Sequence, residues 1–131
     1  MIKAFTSRLA EAESLILEAK AIFIRRKAEA EAVTTNNTLV SLALVRGDLA
    51  RAESISTDVL RRFQQTYPGS YAHITALIYV GEVKLRQSKE AEAEAFFRQS
   101  LELALGRWGA NNYRLLALVK YIDQARAASR R

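Results

Sequence analysis

Apolar residues recur three and four positions apart through almost the whole chain, the spacing that lines one face of an α-helix. Phe5, Leu9, Ala12, Ile16, Ala19 and Phe23 form the first such stripe, within a segment that reads as one long helix over residues 3–32. Its far end, from Arg25-Arg26-Lys27 onward, turns polar and points to solvent. Thr34-Thr35-Asn36-Asn37 gathers residues that favour turns and helix caps, so a second helix is expected to begin there. It carries Leu39, Leu42 and Val45 and stops at Gly47. Asp48 is placed to cap a third helix bearing Leu49, Ala52, Ile55, Val59, Leu60 and Phe63.

Tyr67-Pro68-Gly69-Ser70 is the sharpest punctuation in the sequence, because Pro and Gly both oppose helix continuation. A fourth helix, about residues 70–87, presents Ile74, Leu77, Ile78, Gly81 and Leu85. After Ser88 a fifth carries Ala93, Phe96, Phe97, Leu101 and Ala104. Gly106 and Gly109 bracket Arg107-Trp108 as a loop, and Asn111-Asn112 can cap a sixth helix with Leu115, Leu118, Val119 and Ile122. The expected fold class is all-α, with about six helices and short connections.

The pattern repeats. Leu9-Ala10-Glu11-Ala12-Glu13 aligns with Leu49-Ala50-Arg51-Ala52-Glu53, and Ala93 continues the series begun by Ala12 and Ala52. The first helices of the pairs correspond as well, through Leu39-Val40, Val80-Gly81 and Tyr121-Ile122. The middle unit fits least well, since Ser56 stands where Ile16 and Phe97 occupy the other two; Ile55 is the expected substitute, through a small rotation of the helix. Units that cannot bury their faces singly must stack, which makes an αα-hairpin solenoid.

Leu77-x₂-Val80-Gly81-x₂-Lys84 followed by Ala93-x₃-Phe97 answers the tetratricopeptide pattern W-x₂-L-G-x₂-Y…A-x₃-F, with Leu, Val and Lys as departures. The segment resembles the tetratricopeptide repeat family. The repeat here is longer than that family's usual length of about 34 residues, as in kinesin light chains and the sensor domains of large bacterial regulators. Arg107-Trp108-Gly109-Ala110-Asn111 is similar to the linker of the light-chain type, without its Pro and His. The resemblance implies a helical repeat domain over residues 1–131, either whole or a piece of a longer solenoid. The chain opens on a second-type helix and closes on a first-type helix, so each end lacks its natural partner.

Composition narrows the function more than the fold. Half the residues are hydrophobic, with one Pro, five Gly and no Cys, which excludes disulfides and thiolate metal sites. No leader-like segment or apolar run of about 20 residues is present, so a cytoplasmic protein with no membrane contact is expected. The formal charge is +6, and its excess gathers at Arg114, Lys120, Arg126, Arg130 and Arg131, opposed there by Asp123 alone. Such a basic end is commonly just solvated or complements the helix macrodipole; a nucleic-acid binder is an alternative reading without a stacking platform to support it.

Catalytic chemistry has little to build on. His73 is the single histidine and reads as a surface or hydrogen-bonded side chain. Glu90, Glu92 and Glu94 alternate on a helix and point in different directions. No phosphate-cradling glycine loop, cofactor site or metal site is expected. The favoured function is binding of a protein or peptide partner along the concave surface, lined in such stacks by the first helix of each pair. On that geometry the groove comprises Asn37, Ser41 and Leu44 in the second helix, Thr75, Ile78, Glu82, Leu85 and Arg86 in the fourth, and Val119, Asp123 and Arg126 in the sixth. The competing reading has Leu44, Ile78, Leu85 and Val119 filling a tightly closed superhelix. Glu82 and the lack of a suitably placed Lys speak against the clamp with which some tetratricopeptide domains hold acidic chain ends. A homo-oligomer formed through the terminal helices is the alternative partner.

Overall fold

The computed structural model describes residues 2–109 and 114–130, and among these it contains six α-helices and no strand. They are α1 (Ile2–Arg25), α2 (Glu29–Val45), α3 (Leu49–Thr66), α4 (Tyr71–Arg86), α5 (Glu90–Trp108) and α6 (Arg114–Ser129). Each packs on the next in the chain, and α2 also reaches α4. The caps expected at Asn111 and Asn112 lie outside the described residues, as do the side chains of Phe5, Arg114, Leu115 and Arg131.

The first boundary differs from the sequence expectation. α1 ends at Arg25 and α2 starts at Glu29, so Thr34 to Asn37 lie inside a helix rather than between two. The break is made by Lys27, whose φ is +57°. Its N–H donates to the Ile24 carbonyl, and the Ala28 N–H to the Phe23 carbonyl, the paired bonds of a Schellman C-cap. Gly47 (φ +75°) and Ser88 (φ +62°) close α2 and α4 in the same way, through Asp48 N–H to Ala43 O and Lys89 N–H to Lys84 O. Of these three caps only that of α2 has the glycine that advertises the conformation. The Thr34 and Thr35 hydroxyls, freed from any capping duty, donate back to the carbonyls of Ala30 and Glu31 at 2.8 Å.

Asp48 caps α3 as the sequence predicts, and Ser70, within the predicted break, caps α4. The Asp48 carboxylate accepts from Arg51 N–H at 3.2 Å, and the Ser70 hydroxyl accepts from His73 N–H at 3.2 Å. At the far end α5 runs on through Gly106, Arg107 and Trp108, where the sequence predicts a loop, and Gly109 (φ +79°) ends it.

The core is a chain of clusters between successive pairs. Val59, Leu60 and Phe63 of α3 meet Ala76, Leu77 and Val80 of α4, with Phe96 and Leu103 of α5 closing over them. Val40, Ala43 and Leu44 of α2 meet Ala52 of α3 and Val83 of α4. Ala93 and Phe97 of α5 pack with Ile122 and Ala125 of α6. Removing a large apolar side chain from water contributes roughly 1.5–3 kcal/mol, which is what holds short, individually marginal helices in place. Ser56 keeps its place in the repeat, buried with its hydroxyl donating to the Glu53 carbonyl, while Ile55 packs beside it in two clusters; no rotation of α3 is needed.

Candidate functional site

The first helices of the pairs are α2, α4 and α6, and the residues predicted to line their shared face divide into two groups. Asn37 and Leu44 are buried, Leu44 within the α2–α3–α4 core, and the Asn37 Oδ1 has no hydrogen-bond partner among the described residues. Ser41 is half-buried and donates weakly to the Asn37 carbonyl one turn back, at 3.4 Å. Ile78 and Leu85 are half-buried where α4 leans on α5 and α6, beside Leu118, Ile122 and Tyr121. Arg86, Val119 and Asp123 are exposed or nearly so, and Thr75 and Glu82 are half-buried.

Arg126 faces another way. Its Nε donates to Glu94 of α5 at 2.8 Å, beside Arg98 Nε at 3.0 Å. This contact is one rung of a series. Glu13 of α1 accepts from Arg46, the C-cap of α2, at 2.7 Å and from Arg51 of α3 at 2.6 Å. Glu53 of α3 accepts from Gln87 Nε2 at 2.7 Å and Lys84 Nζ at 3.4 Å. Glu13, Glu53 and Glu94 each follow the alanine that marks the repeat (Ala12, Ala52, Ala93), so the same position on each second helix takes up the polar end of the following first helix. The Arg51 hydrogen bond leads in holding the Glu13 carboxyl below its ordinary value, and the Gln87 hydrogen bond leads for Glu53, with Lys84 adding to it. The signal for this ladder in the sequence is the glutamate beside each of those alanines.

A cleft opens on the first-helix face between α4 and α6. Tyr71, Ile74, Thr75, Ile78, Trp108, Ala117 and Leu118 surround its volume of about 280 Å³. Tyr71 and Trp108 meet there at 5.8 Å between ring centroids, so Trp108, at the end of α5, caps the hairpin and also walls the cleft. Deeper along α6, Tyr121 stacks on Phe97 at 5.1 Å. Burial first, and then the neighbouring Glu82 carboxylate, push the Tyr121 phenol up to about 12. Glu82 is thus engaged with α6.

His73 is buried at the base of α4. Its Nδ1 accepts from the Gly69 N–H at 2.8 Å, and burial lowers its pKa below the ordinary imidazole value. The bond requires a bare Nδ1, which makes His73 a neutral brace for the α3–α4 turn. Among the described residues no three His, Asp or Glu side chains converge as a metal site would need, and no helix is long and apolar enough to cross a membrane.

No curated protein matches the chain. The tetratricopeptide repeat pattern matches residues 30–106, which takes in all but the first residue of α2, then α3, α4 and nearly the whole of α5. That span is more than half of the 131 residues and coincides with two helical hairpins. With paired antiparallel helices, a register shared from one pair to the next and a close helix approach at Gly81, the chain belongs to the tetratricopeptide repeat family.

Proposed function

We propose that this chain is a non-catalytic module that binds a protein or peptide segment along its first-helix face, with contacts from Thr75, Ile78, Arg86, Val119 and Asp123. Tetratricopeptide repeats are scaffolds for protein interaction, and the observation that carries the reading is the α4–α6 cleft. It is apolar at its base, aromatic at one wall and edged by the Thr75 hydroxyl, the mixture that orients an extended segment. Trp108 is the single tryptophan, so its fluorescence reports occupancy directly. Peptides selected from a random displayed library are expected to shift that emission. Thr75→Arg and Ala117→Arg, both in the cleft lining, should each weaken binding at least tenfold with unchanged circular dichroism. Selected peptides that bind both variants as well as the wild type would remove the cleft from the function.

Exposed apolar side chains on the terminal helices favour a second reading, self-association. Leu15 and Ile24 of α1 are 60% and 59% exposed, and Leu116 of α6 is 73% exposed. Helix α6 is of the first type and α1 of the second, so α6 of one copy and α1 of another would together form one hairpin. Light scattering behind a sizing column, over a range of concentrations, tests this: a monomer throughout rejects it.

A further inference from the structure

We propose that the cleft between α1, α2 and α3 is a binding site for a carboxylate carried on an apolar group, built by replacing three core leucines with Lys20, Asn36 and Arg62. This goes beyond the peptide-binding reading and uses a different part of the molecule. The repeat register supplies the first argument. Leu60 of α3, Leu77 of α4 and Leu103 of α5 pack together in the second unit and close the space between three helices. One repeat earlier, the same three positions are Lys20, Asn36 and Arg62. Where the second unit has a sealed core, the first has a cleft of about 580 Å³ lined by all three, within the range of small-molecule sites (about 300–1,000 Å³).

Asn36 supplies the second argument. It is only 8% exposed, yet its side-chain amide makes no hydrogen bond to any described residue and lines the cleft. Neither of its polar atoms is sealed from solvent, so the amide opens onto the cleft and can donate to a ligand group there. Charge fixes the sign of that ligand. Lys20, Lys27 and Arg62 line the cleft against Glu29 and Asp58, leaving one net positive charge, which matches a monoanion better than a dianionic phosphate. Asp58 is already shared by Arg61 and by Arg62 Nε at 3.0 Å, and the Arg62 guanidinium has two further nitrogens. Lys20 and Lys27 form no ion pair among the described residues. Ile24, Ala32 and Val33 complete the wall with apolar surface, so the anion needs an apolar body beside its carboxylate.

A free organic acid and a glutamate side chain within an apolar peptide share that chemistry. Octanoate and a doubly blocked Leu-Glu-Leu peptide are therefore titrated separately, with 1-octanol as the uncharged control, and the backbone amide shifts of Ala32, Val33 and Asn36 are followed by NMR. Saturable shifts with octanoate, absent with octanol, support the site and assign it to a free acid. Shifts with the peptide alone support it and assign a protein ligand. Lys20→Leu/Asn36→Leu/Arg62→Leu, which restores the leucines of the second unit, should abolish the response and raise Tm. Lys20→Gln/Arg62→Gln, which leaves the cleft open, should weaken binding at least tenfold and gives a reading if the triple variant does not fold. No response to either acid, an equal response to octanol, or full binding by the Lys20→Gln/Arg62→Gln variant overturns the proposal.

Discussion

Gly81 and Phe97 occupy one volume between them: a Cβ built on Gly81 would lie 2.5 Å from Phe97 Cε1, inside any allowed contact. Phe97 is fully buried and stacked on Tyr121, so its ring has nowhere to retreat. One repeat earlier the same two positions are Val40 and Ser56, both buried, with the bulk moved to the other helix. The A-x₃-F half of the repeat motif and its Gly are therefore one physical feature, close approach of two helices.

Gly81→Ala should lower stability by about 1–2 kcal/mol, overpacking of roughly 1–3 kcal/mol being partly offset by Ala's better helix propensity. Phe97→Ala should cost on the order of 3–5 kcal/mol through the cavity it leaves. Thermal or urea melts read both. Combining Gly81→Ala with Phe97→Leu should cost less than the sum of the single changes; simple additivity would show that the two side chains do not compete for space.

Lys27 and Ser88 hold a left-handed backbone conformation that disfavours a Cβ. Lys27→Gly and Ser88→Gly should each raise stability by about 0.5–1 kcal/mol, relief of strain exceeding the added freedom of the unfolded chain. Gly47→Ala should do the reverse, since its φ is +75°. Urea midpoints at constant m-value check all three.

The pH dependence near neutrality rests on His73. Its folded pKa is lowered by burial, so the unfolded chain binds the proton more readily, and stability present above about pH 6.5 is lost as pH falls toward the lowered folded value. Tm should fall between pH 7.5 and 5.5, and His73→Gln should flatten that slope. An unchanged slope in the variant would assign the effect to another group.

Glu53 acts at lower pH. Its carboxylate is favoured in the folded state by Gln87 and then Lys84, so its contribution is full above the ordinary glutamate value of about 4.3 and declines as pH falls through the lowered folded value. The group is solvent-accessible, which makes the effect small and sensitive to salt. Melts between pH 5 and 3 should show a shallower loss for Glu53→Gln than for the wild type.

Fold class and helix number are legible in the sequence because apolar spacing and the strong breakers at Gly47 and Tyr67–Ser70 agree. The α1–α2 break is not, because Lys27 takes the conformation that Gly47 takes elsewhere, and its neighbours are good helix formers. Thr34 to Asn37 mislead in the opposite sense: capping residues can satisfy themselves within a helix, as the Thr34 and Thr35 hydroxyls do. Around the candidate groove, spacing places residues on a helix but does not say how closely α6 approaches α4, which decides whether Ile78 and Leu85 are wall or filling. Arg126 escapes the sequence pattern for a related reason: its partner, Glu94, lies on another helix, distant along the chain.

The exchange of bulk between Gly81–Phe97 and Val40–Ser56 sets what can be recombined in this chain. Transplanting α5 into the place of α3 would set Phe97 against Val40, an excess of volume, while the reciprocal graft would leave Ser56 facing Gly81 across a void. A whole hairpin carries its own complement and can be moved, duplicated or deleted without meeting either problem. Insertions and chimaeras cut at the Tyr67–Ser70 turn should therefore fold, whereas those cut at Gly47 or Ser88 should not, which makes the hairpin the smallest portable part of this solenoid.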